Sequence, residues 1–267
     1  MDAALNEIAR PATAPITLGP VPLARAALFL DLDGTLAEFE PTPSAVAPDP
    51  ARTELLRRLR SALDGRMAVI SGRTLDEIDR IVERVAACAA GVHGLERRDI
   101  GGGVSRADVH PELPAVEQAF RAFAAEHPGV LVESKRLSTA LHWRQAPEHG
   151  AAALAAAQAE AERYGLKLQR GDRVAEVRTP GADKGSAVAA FMAEAPFEGA
   201  VPIFLGDDVT DEDAFALVEA RGGIGVLVGP DRDSAASARL LGVSEVLQWL
   251  ERSLRAGVFE FESRGVA

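Results

Sequence analysis

The sequence predicts an α/β protein: a doubly wound parallel-sheet core with a smaller α+β unit inserted into it. At both ends of the chain, short apolar segments alternate with capped helices, as in strands buried between two helical layers. The middle third instead has the pattern helix, two strands, helix, two strands. We therefore expect a core from residues 25–106 and 179–267, an inserted unit over 107–178, and a loose arm over 1–24.

The first part of the core is predicted to hold two strands and two helices. Ala26–Leu30 and Met67–Ile70 are apolar throughout and end in polar residues, which is typical of buried parallel strands. Asp49 followed by Pro50 predicts a helix start, because aspartate caps free N–H groups and proline fits the first helical position. Thr74–Glu77 is a capping-box pattern and predicts a second helix.

The inserted unit and the return to the core follow from the same patterns. A glycine-containing hairpin is expected over 99–106, and an alanine-rich stretch favours one of the two helices of the inserted unit. Thr210 is predicted to cap a helix of the returning core. The remaining predictions are helices over 111–127, 147–164, from about 183, 210–221 and Val243–Ala256, and strands over 130–134, 138–143, 166–169, 173–178, 201–205 and Ile224–Val228.

Composition restricts the classes of function. The chain has 267 residues and a formal net charge of −11, which disfavours binding to nucleic acid or to an anionic membrane. Cys88 is the only cysteine, so no intrachain disulfide is possible. No apolar run approaches the ~18–20 residues of a membrane span, and no signal peptide is recognised. A soluble, cytoplasmic enzyme is expected, acting as a monomer on a small molecule.

Two acidic pairs stand where predicted strands end. Asp31 and Asp33 follow the first strand, and Asp207 and Asp208 follow the strand over 201–205. Ligands of open α/β sheets bind at this edge, where paired carboxylates can hold Mg²⁺ while one attacks phosphorus and the other moves protons. A simple Asx turn remains the alternative for the first pair. Acids at Asp211 and the two positions after it are explained by the helix dipole.

Two further residues complete a set suited to phosphoryl transfer. Lys184 lies near the start of a predicted helix, an unfavourable place for a cation, which indicates a role in holding phosphate. A solvated surface lysine is the alternative. Ser71 follows the second strand and could donate both its O–H and its backbone N–H to a phosphoryl oxygen, or could simply cap a helix.

These motifs, in this order, resemble those of the haloacid dehalogenase-like (HAD) hydrolases. A second set of motifs resembles the trehalose-6-phosphate phosphatase family within that superfamily, and the likeness covers the chain from about residue 28 to 250. This set is Gly91-Val92-His93-Gly94-Leu95-Glu96, Glu133-Ser134-Lys135, His142-Trp143-Arg144, Glu176-Val177-Arg178 and Gly206-Asp207-Asp208-Val209-Thr210-Asp211-Glu212.

The resemblance implies a Rossmann-like core with the inserted unit as a cap that determines substrate specificity. It implies Asp31 as the nucleophile and Asp33 as the acid/base, with Mg²⁺ held by the Asp31 side chain, the Asp33 carbonyl and Asp207; Asp208 is included as the neighbouring acid. Ser71 and Lys184 would hold the phosphoryl group. The residues expected to bind the sugar are Arg73, Glu133, Lys135, His142, Arg144 and Glu176.

Three alternatives remain open. A phosphatase of the same type could act on another sugar phosphate, such as sucrose phosphate, because only the cap residues argue for trehalose 6-phosphate. A phosphorylated receiver domain needs about half this length and no second catalytic aspartate. A non-catalytic regulatory homologue is disfavoured because every expected catalytic residue type is present.

Overall fold

The computed structural model describes residues 19–263 of the chain. Within that range the strands are β1 (Val21–Pro22), β2 (Ala26–Leu30), β3 (Met67–Ile70), β4 (Cys88–Gly91), β5 (Glu96–Arg98), β6 (Val104–Arg106), β7 (Leu131–Ser134), β8 (Ser138–His142), β9 (Lys167–Gly171), β10 (Val174–Arg178), β11 (Val201–Gly206), β12 (Ile224–Val228), β13 (Ala238–Leu240) and β14 (Val258–Phe259). The α-helices are α1 (Pro50–Ala62), α2 (Leu75–Ile81), α3 (Leu113–Glu126), α4 (Gly150–Tyr164), α5 (Lys184–Met192), α6 (Glu212–Ala220) and α7 (Val243–Ala256).

The largest sheet has eight strands, in the order β13-β12-β11-β2-β3-β4-β5-β6. The strands from β13 to β4 are parallel, and β5 and β6 form an antiparallel hairpin at one edge. From β2 the chain continues to β3 and β4 on one side, and it later returns through β11 and β12 on the other. The strand order therefore reverses between β2 and β11, which is where sheets of this class bind ligands.

Helices cover both faces of this sheet, as the doubly wound prediction requires. In β2, Leu28 and Leu30 pack with α1, α2 and α7 on one face, while Phe29 packs with α5 and α6 on the other. Because neighbouring residues of a strand point to opposite faces, a strand buried on both sides must be apolar at every position. The predicted fold class is confirmed by this three-layer core.

The helix starts mostly follow the predicted caps. The Asp49 carboxylate accepts the N–H groups of Ala51 and Arg52, and Thr74 forms the predicted capping box at the start of α2. The prediction that Thr210 caps the next helix is wrong. Asp208 caps a short 3-10 turn there, and α6 begins at Glu212.

The inserted unit forms a four-stranded antiparallel sheet in the order β7-β8-β10-β9. Helices α3 and α4 pack on it around a separate apolar core that includes Phe120, Leu141 and Ala157. The predicted helices and strands of this unit are confirmed, with bounds that differ by a few residues. A core of its own supports an independent cap, and its limits at residues 107 and 178 stay a prediction.

The first and last strands of the described chain, β1 and β14, pair with each other beside the core. Residues 1–18 of the predicted arm lie outside the described residues, so that part of the prediction is not addressed. From Val21 onward the prediction of a loose arm is wrong, because β1 pairs with β14 and both Val21 and Leu23 are buried. Across residues 19–263, no helix has the length and apolar character needed to cross a membrane.

Candidate active site

The site forms where the strand order reverses. β2 and β11 are adjacent, with Leu30 opposite Leu205, and the N–H of Asp31 donates to the Leu205 carbonyl at 2.9 Å. Asp31 directly follows β2, and Asp207 directly follows β11. Both line one cleft of about 140 Å³ between the core and the cap. The structure therefore brings together the acidic strand ends that the sequence indicated.

Lys184, the first residue of α5, points into the protein and is only 2% exposed. Its Nζ lies 3.0 Å from Oδ1 of Asp31 and 2.6 Å from Oδ1 of Asp211. Burial alone would lower the pKa of Lys184, but the Asp211 and Asp31 carboxylates outweigh burial and raise that pKa. A charged ammonium thus contacts Asp31, and the alternative of a solvated surface lysine is wrong.

Asp211 is fully buried and contacts both Lys184 and the loop after β11. One carboxylate oxygen contacts Lys184, and the other accepts the N–H groups of Asp207 and Asp208, both at 3.0 Å. A Cβ on Gly206 would lie 2.3 Å from the Asp211 carboxyl carbon, so only glycine permits this approach. The helix-dipole explanation of Asp211 is therefore insufficient, because its carboxylate fixes both Lys184 and the loop that carries Asp207.

Three carboxylates crowd one another here. Oxygens of Asp31, Asp207 and Asp211 lie within 4.8 Å of one another. Burial raises the pKa of Asp31 well above its usual value; Lys184 opposes this rise, while Asp211 and Asp207 add to it. Burial and then Asp211 raise the pKa of Asp207 to about 7. Such carboxylates resist ionising together, and a hard divalent cation would remove the repulsion.

The contacts decide which of these acids suit a metal. Asp211 is already occupied by Lys184 and two N–H groups, which leaves Asp31 and Asp207 as the carboxylates that fit a cation. Asp208, also predicted as a ligand, is not in this cluster. Its Oδ1 accepts the N–H of Val209 at 2.8 Å, which caps the turn instead.

Asp33 is held by an arginine. Nε and Nη2 of Arg73 donate to the two oxygens of Asp33 at 2.6 and 2.7 Å, forming a bidentate pair. Arg73 is itself buried, whereas the Asp33 side chain is 26% exposed and lines the cleft. Arg73 was predicted to bind the sugar, but in this structure its guanidinium binds the predicted acid/base.

Ser71 reaches the cleft at the end of β3. Its backbone N–H donates to the Ala90 carbonyl at 2.9 Å as part of the sheet, so the prediction that this N–H serves a phosphoryl oxygen is wrong. Its hydroxyl oxygen accepts the N–H of Arg73 at 3.2 Å, and the hydroxyl proton stays available to another acceptor.

The cap brings four of the predicted sugar-binding residues together. Oε2 of Glu133 lies 2.8 Å from Nε2 of His142, and Nζ of Lys135 lies 3.6 Å from Glu133 and 3.9 Å from Glu176. Lys135 also donates to the carbonyl of Gly72 in the core at 3.3 Å. These side chains therefore converge where the cap meets the loop after β3.

Arg144 makes its contacts apart from this group. It donates to Asp172 at 3.0 Å, and its guanidinium stands 5.8 Å from the ring centroid of Phe39. Phe39 lines the cleft, so Arg144 reaches the cleft wall through an aromatic ring. Among the described residues, no hydrogen bond or ion pair joins Arg144 to Glu133 or Lys135.

Comparison with known proteins identifies the family. The sequence profile described as trehalose-phosphatase matches residues 29–244. The chain belongs to the trehalose-phosphatase family. It is 42% identical to the trehalose-6-phosphate phosphatase of Escherichia coli, over 90% of each chain. It is 36% identical to a probable trehalose-phosphate phosphatase of Sinorhizobium fredii, over 85% of this chain and 87% of the relative.

Solved structures agree with the fold of this trehalose-phosphatase family member. The C-terminal domain of the Candida albicans trehalose-6-phosphate phosphatase superposes with a TM-score of 0.78 at 23% identity, covering 87% of this chain and 92% of that one. A haloacid dehalogenase-like hydrolase from Bacteroides thetaiotaomicron superposes with a TM-score of 0.61 at 15% identity, covering 85% of this chain and 98% of that one. At these identities the likeness concerns the fold alone.

Several cleft residues of this family member were not assigned a role from the sequence. Phe39, His93 and Gln169 line the cleft, and Asp211 anchors it. For Asp211 a signal existed: an acid three residues after Asp208 is a capping-box pattern, which the structure contains. His93 lies in one of the motifs that carry the family resemblance but was given no role, and no local pattern points to Phe39 or Gln169.

Proposed function

We propose that this chain hydrolyses trehalose 6-phosphate to trehalose and phosphate through an aspartyl-phosphate on Asp31. Family membership supports the reaction class, and the relatives' names supply the substrate. The observation that carries the mechanism is the buried contact between Lys184 and Asp31 at 3.0 Å. A fixed cation beside a buried carboxylate opposes protonation of that carboxylate and attracts a phosphoryl group to it.

In the first step, a carboxylate oxygen of Asp31 attacks phosphorus and the bond from phosphorus to the sugar oxygen breaks. Asp33 gives its proton to the departing sugar oxygen. In the second step, Asp33 takes a proton from water, the water oxygen bonds to phosphorus, and the bond to Asp31 breaks. Lys184 and the Ser71 hydroxyl hold the phosphoryl oxygens throughout.

Asp33 must release its hydrogen bonds to Arg73 before it can transfer a proton to the leaving sugar oxygen. Its two oxygens are engaged by Arg73, at 2.6 and 2.7 Å. A bidentate guanidinium occupies both carboxylate oxygens, so neither oxygen is free to meet a leaving group while this contact lasts. We therefore expect the arrival of substrate to loosen the Arg73 contact and to bring Asp33 to the leaving oxygen.

The residues that would hold a metal are the Asp31 and Asp207 carboxylates, with the Asp33 carbonyl as a further expected ligand. The crowding of Asp31 and Asp207 and the pKa of about 7 at Asp207 support a divalent cation there. Mg²⁺, when bound, would neutralise charge on the phosphoryl group and allow both carboxylates to stay ionised.

Recognition of the sugar falls to the cap. Glu133, Lys135, His142 and Glu176 offer charged donors and acceptors where the cap meets the core, and such groups bind sugar hydroxyls strongly. Arg144 would act from the far wall of the cleft. The net charge of −11 supports a small-molecule substrate rather than nucleic acid, and we expect a cytoplasmic monomer.

The test is phosphate release from trehalose 6-phosphate, sucrose 6-phosphate, glucose 6-phosphate and p-nitrophenyl phosphate, each with Mg²⁺ and with EDTA. A metal-dependent preference for trehalose 6-phosphate is the expected result. Metal-dependent release without that preference would retain the phosphatase and reject the substrate. No release from any compound would favour a regulatory role.

A further inference from the structure

A strained turn follows β4 at the edge of the active site. Val92 and His93 have φ angles of 47° and 54°, in the left-handed region that a β-branched residue such as valine rarely adopts. The N–H of Val92 donates to the Arg73 carbonyl at 2.8 Å, and the N–H of His93 donates to the Ser71 carbonyl at 3.0 Å. The turn is thus held in its strained form by the loop that carries two predicted site residues. Strain of this kind is concentrated at functional sites.

The strained turn places the His93 ring in the cleft wall. The ring is buried, and it lies so close to Gly72 that a Cβ there would be 2.7 Å from Nε2. Nε2 lies 3.2 Å from Oε2 of Glu176, while Nδ1 is buried and has no hydrogen-bond partner among the described residues. Within the described part of the chain, the polar contact of this ring is therefore with Glu176 alone.

The protonation of the pair follows from its surroundings. Burial alone would raise the pKa of Glu176, but Lys135 and then His93 outweigh burial and lower it, so Glu176 is an ionised acceptor. Burial lowers the pKa of His93 against the opposing effect of Glu176, which favours a neutral ring. A neutral imidazole that faces a carboxylate must carry its proton on the facing nitrogen, here Nε2.

This contact crosses from the core to the cap. His93 follows β4 of the large sheet, and Glu176 lies on β10 of the cap sheet. Glu176 also accepts from the Ser138 hydroxyl and lies 3.9 Å from Nζ of Lys135, which in turn donates to the Gly72 carbonyl. The loop of Ser71 and the sugar-binding face of the cap are thus linked through one histidine and one carboxylate.

We propose that His93 is a positioning residue that orients the Glu176 carboxylate for the sugar hydroxyls when the cap lies on the core. The inference rests on the proposed function, since it takes Glu176 as a sugar-binding residue. His93 touches no reacting atom, so its loss weakens binding of the sugar and leaves the transfer of the phosphoryl group intact. A purely structural histidine would affect every substrate alike.

Two variants of His93 separate the loss of its hydrogen bond to Glu176 from the strain of its left-handed backbone. His93→Asn suits the left-handed backbone, because asparagine adopts it readily, but its amide is too short to reach Glu176. His93→Gln keeps an N–H at about the position of Nε2. We expect His93→Asn to raise KM for trehalose 6-phosphate by about tenfold, the effect of losing a hydrogen bond to a charged group, and His93→Gln to recover most of that loss.

With p-nitrophenyl phosphate, which has no sugar, both variants should stay within about twofold of the unchanged enzyme in kcat and KM. His127→Ala is the matched control, since His127 stacks on Phe123 in the cap and, in the part of the chain that the structure describes, makes no contact with Glu176. Thermal unfolding of each variant verifies that it is folded.

The decisive comparison is made in a Glu176→Gln background. If His93 acts through Glu176, adding His93→Asn there should change KM by less than about twofold. Equal losses on both substrates, or a His93→Asn effect that persists in full beside Glu176→Gln, would overturn the proposal. Should the enzyme prefer another sugar phosphate, the effect of His93→Asn on KM is measured with that compound and compared with the effect on p-nitrophenyl phosphate. A failed substrate assignment and a failed role for His93 therefore remain distinct.

Discussion

Replacing the buried Asp211 by asparagine should destabilise the core while leaving its shape unchanged. Asp211 accepts one contact from Lys184 at 2.6 Å and two backbone N–H groups at 3.0 Å. The oxygen of an asparagine amide can face either Lys184 or the two N–H groups, but not both. Asp211→Asn therefore leaves at least one buried polar group without a proper partner.

The magnitude follows from these contacts. Breaking a buried ion pair by removing one partner costs about 3–5 kcal/mol. Lys184 keeps Asp31 at 3.0 Å, and the loss of the Asp211 charge relieves repulsion with Asp31 and Asp207. Both effects place the cost at the lower end, about 3 kcal/mol, which corresponds to a fall in Tm of about 6–12 °C for a chain of this size.

Asp213→Asn is the matched control, because it removes the same charge from the first turn of α6 but at an exposed position. It should cost only about 0.3–1 kcal/mol, from the helix dipole. Urea unfolding followed by Trp249 fluorescence in a Trp143→Phe background measures the free energy of unfolding of the core for both variants. A loss for Asp211→Asn within about 0.5 kcal/mol of the control would refute the reasoning.

Three further results are expected. Asp31→Asn should abolish turnover with no loss of Tm, because it removes the nucleophile while Lys184 keeps Asp211 at 2.6 Å; substantial residual activity would remove Asp31 from its role. Lys135→Ala should reduce kcat/KM for trehalose 6-phosphate far more than for p-nitrophenyl phosphate, and equal losses would contradict a sugar role. Since the pKa of Asp207 is raised to about 7, Mg²⁺ affinity measured by calorimetry should fall as pH drops from about 8 to 6, by up to about tenfold per unit below pH 7. A flat affinity across that range would argue against Asp207 as a ligand.

The same pKa shift sets the sign of the pH dependence of stability. Asp207 has a higher pKa in the folded metal-free protein, about 7, than its usual value of 3.8. The folded state therefore binds the proton more tightly, and the stability from this group is full below the unfolded pKa and is lost as pH rises toward 7. A bound cation would reverse this loss, so EDTA should destabilise the protein more at high pH than at low pH.

Much of the fold followed from local patterns. The strands Ala26–Leu30 and Met67–Ile70 and the helix Val243–Ala256 have the bounds that the sequence predicted. Their apolar runs and end signals are local, and tertiary packing agrees with them. β4 and β13 were not predicted, because Cys88–Gly91 consists of small residues and Ala238–Leu240 is short, and both depend on neighbouring strands for their existence.

The site shows a different limit. Residue types and predicted strand and helix ends indicated Asp31, Asp207 and Lys184. In a doubly wound sheet, the residues that follow the parallel strands lie together at one edge of the sheet. The pairing of charged side chains depends on the tertiary structure, which brings together residues that are distant in the sequence. Asp33 was expected to face the substrate and is found with Arg73, 40 positions away, while Lys184 is found with Asp211, 27 positions away.

Those unforeseen pairs share one physical cause. A buried charge is tolerated only with a partner, so each charged group that the fold buries requires a second charged group beside it. Asp211 is that partner for Lys184, and Asp33 is that partner for the buried Arg73. Such pairs are found by asking of every buried charge which side chains contact it. Applied to Glu176 on the cap, that question leads to the charged Lys135 and to the His93 ring, and so to the proposed link between the core and the orientation of the sugar.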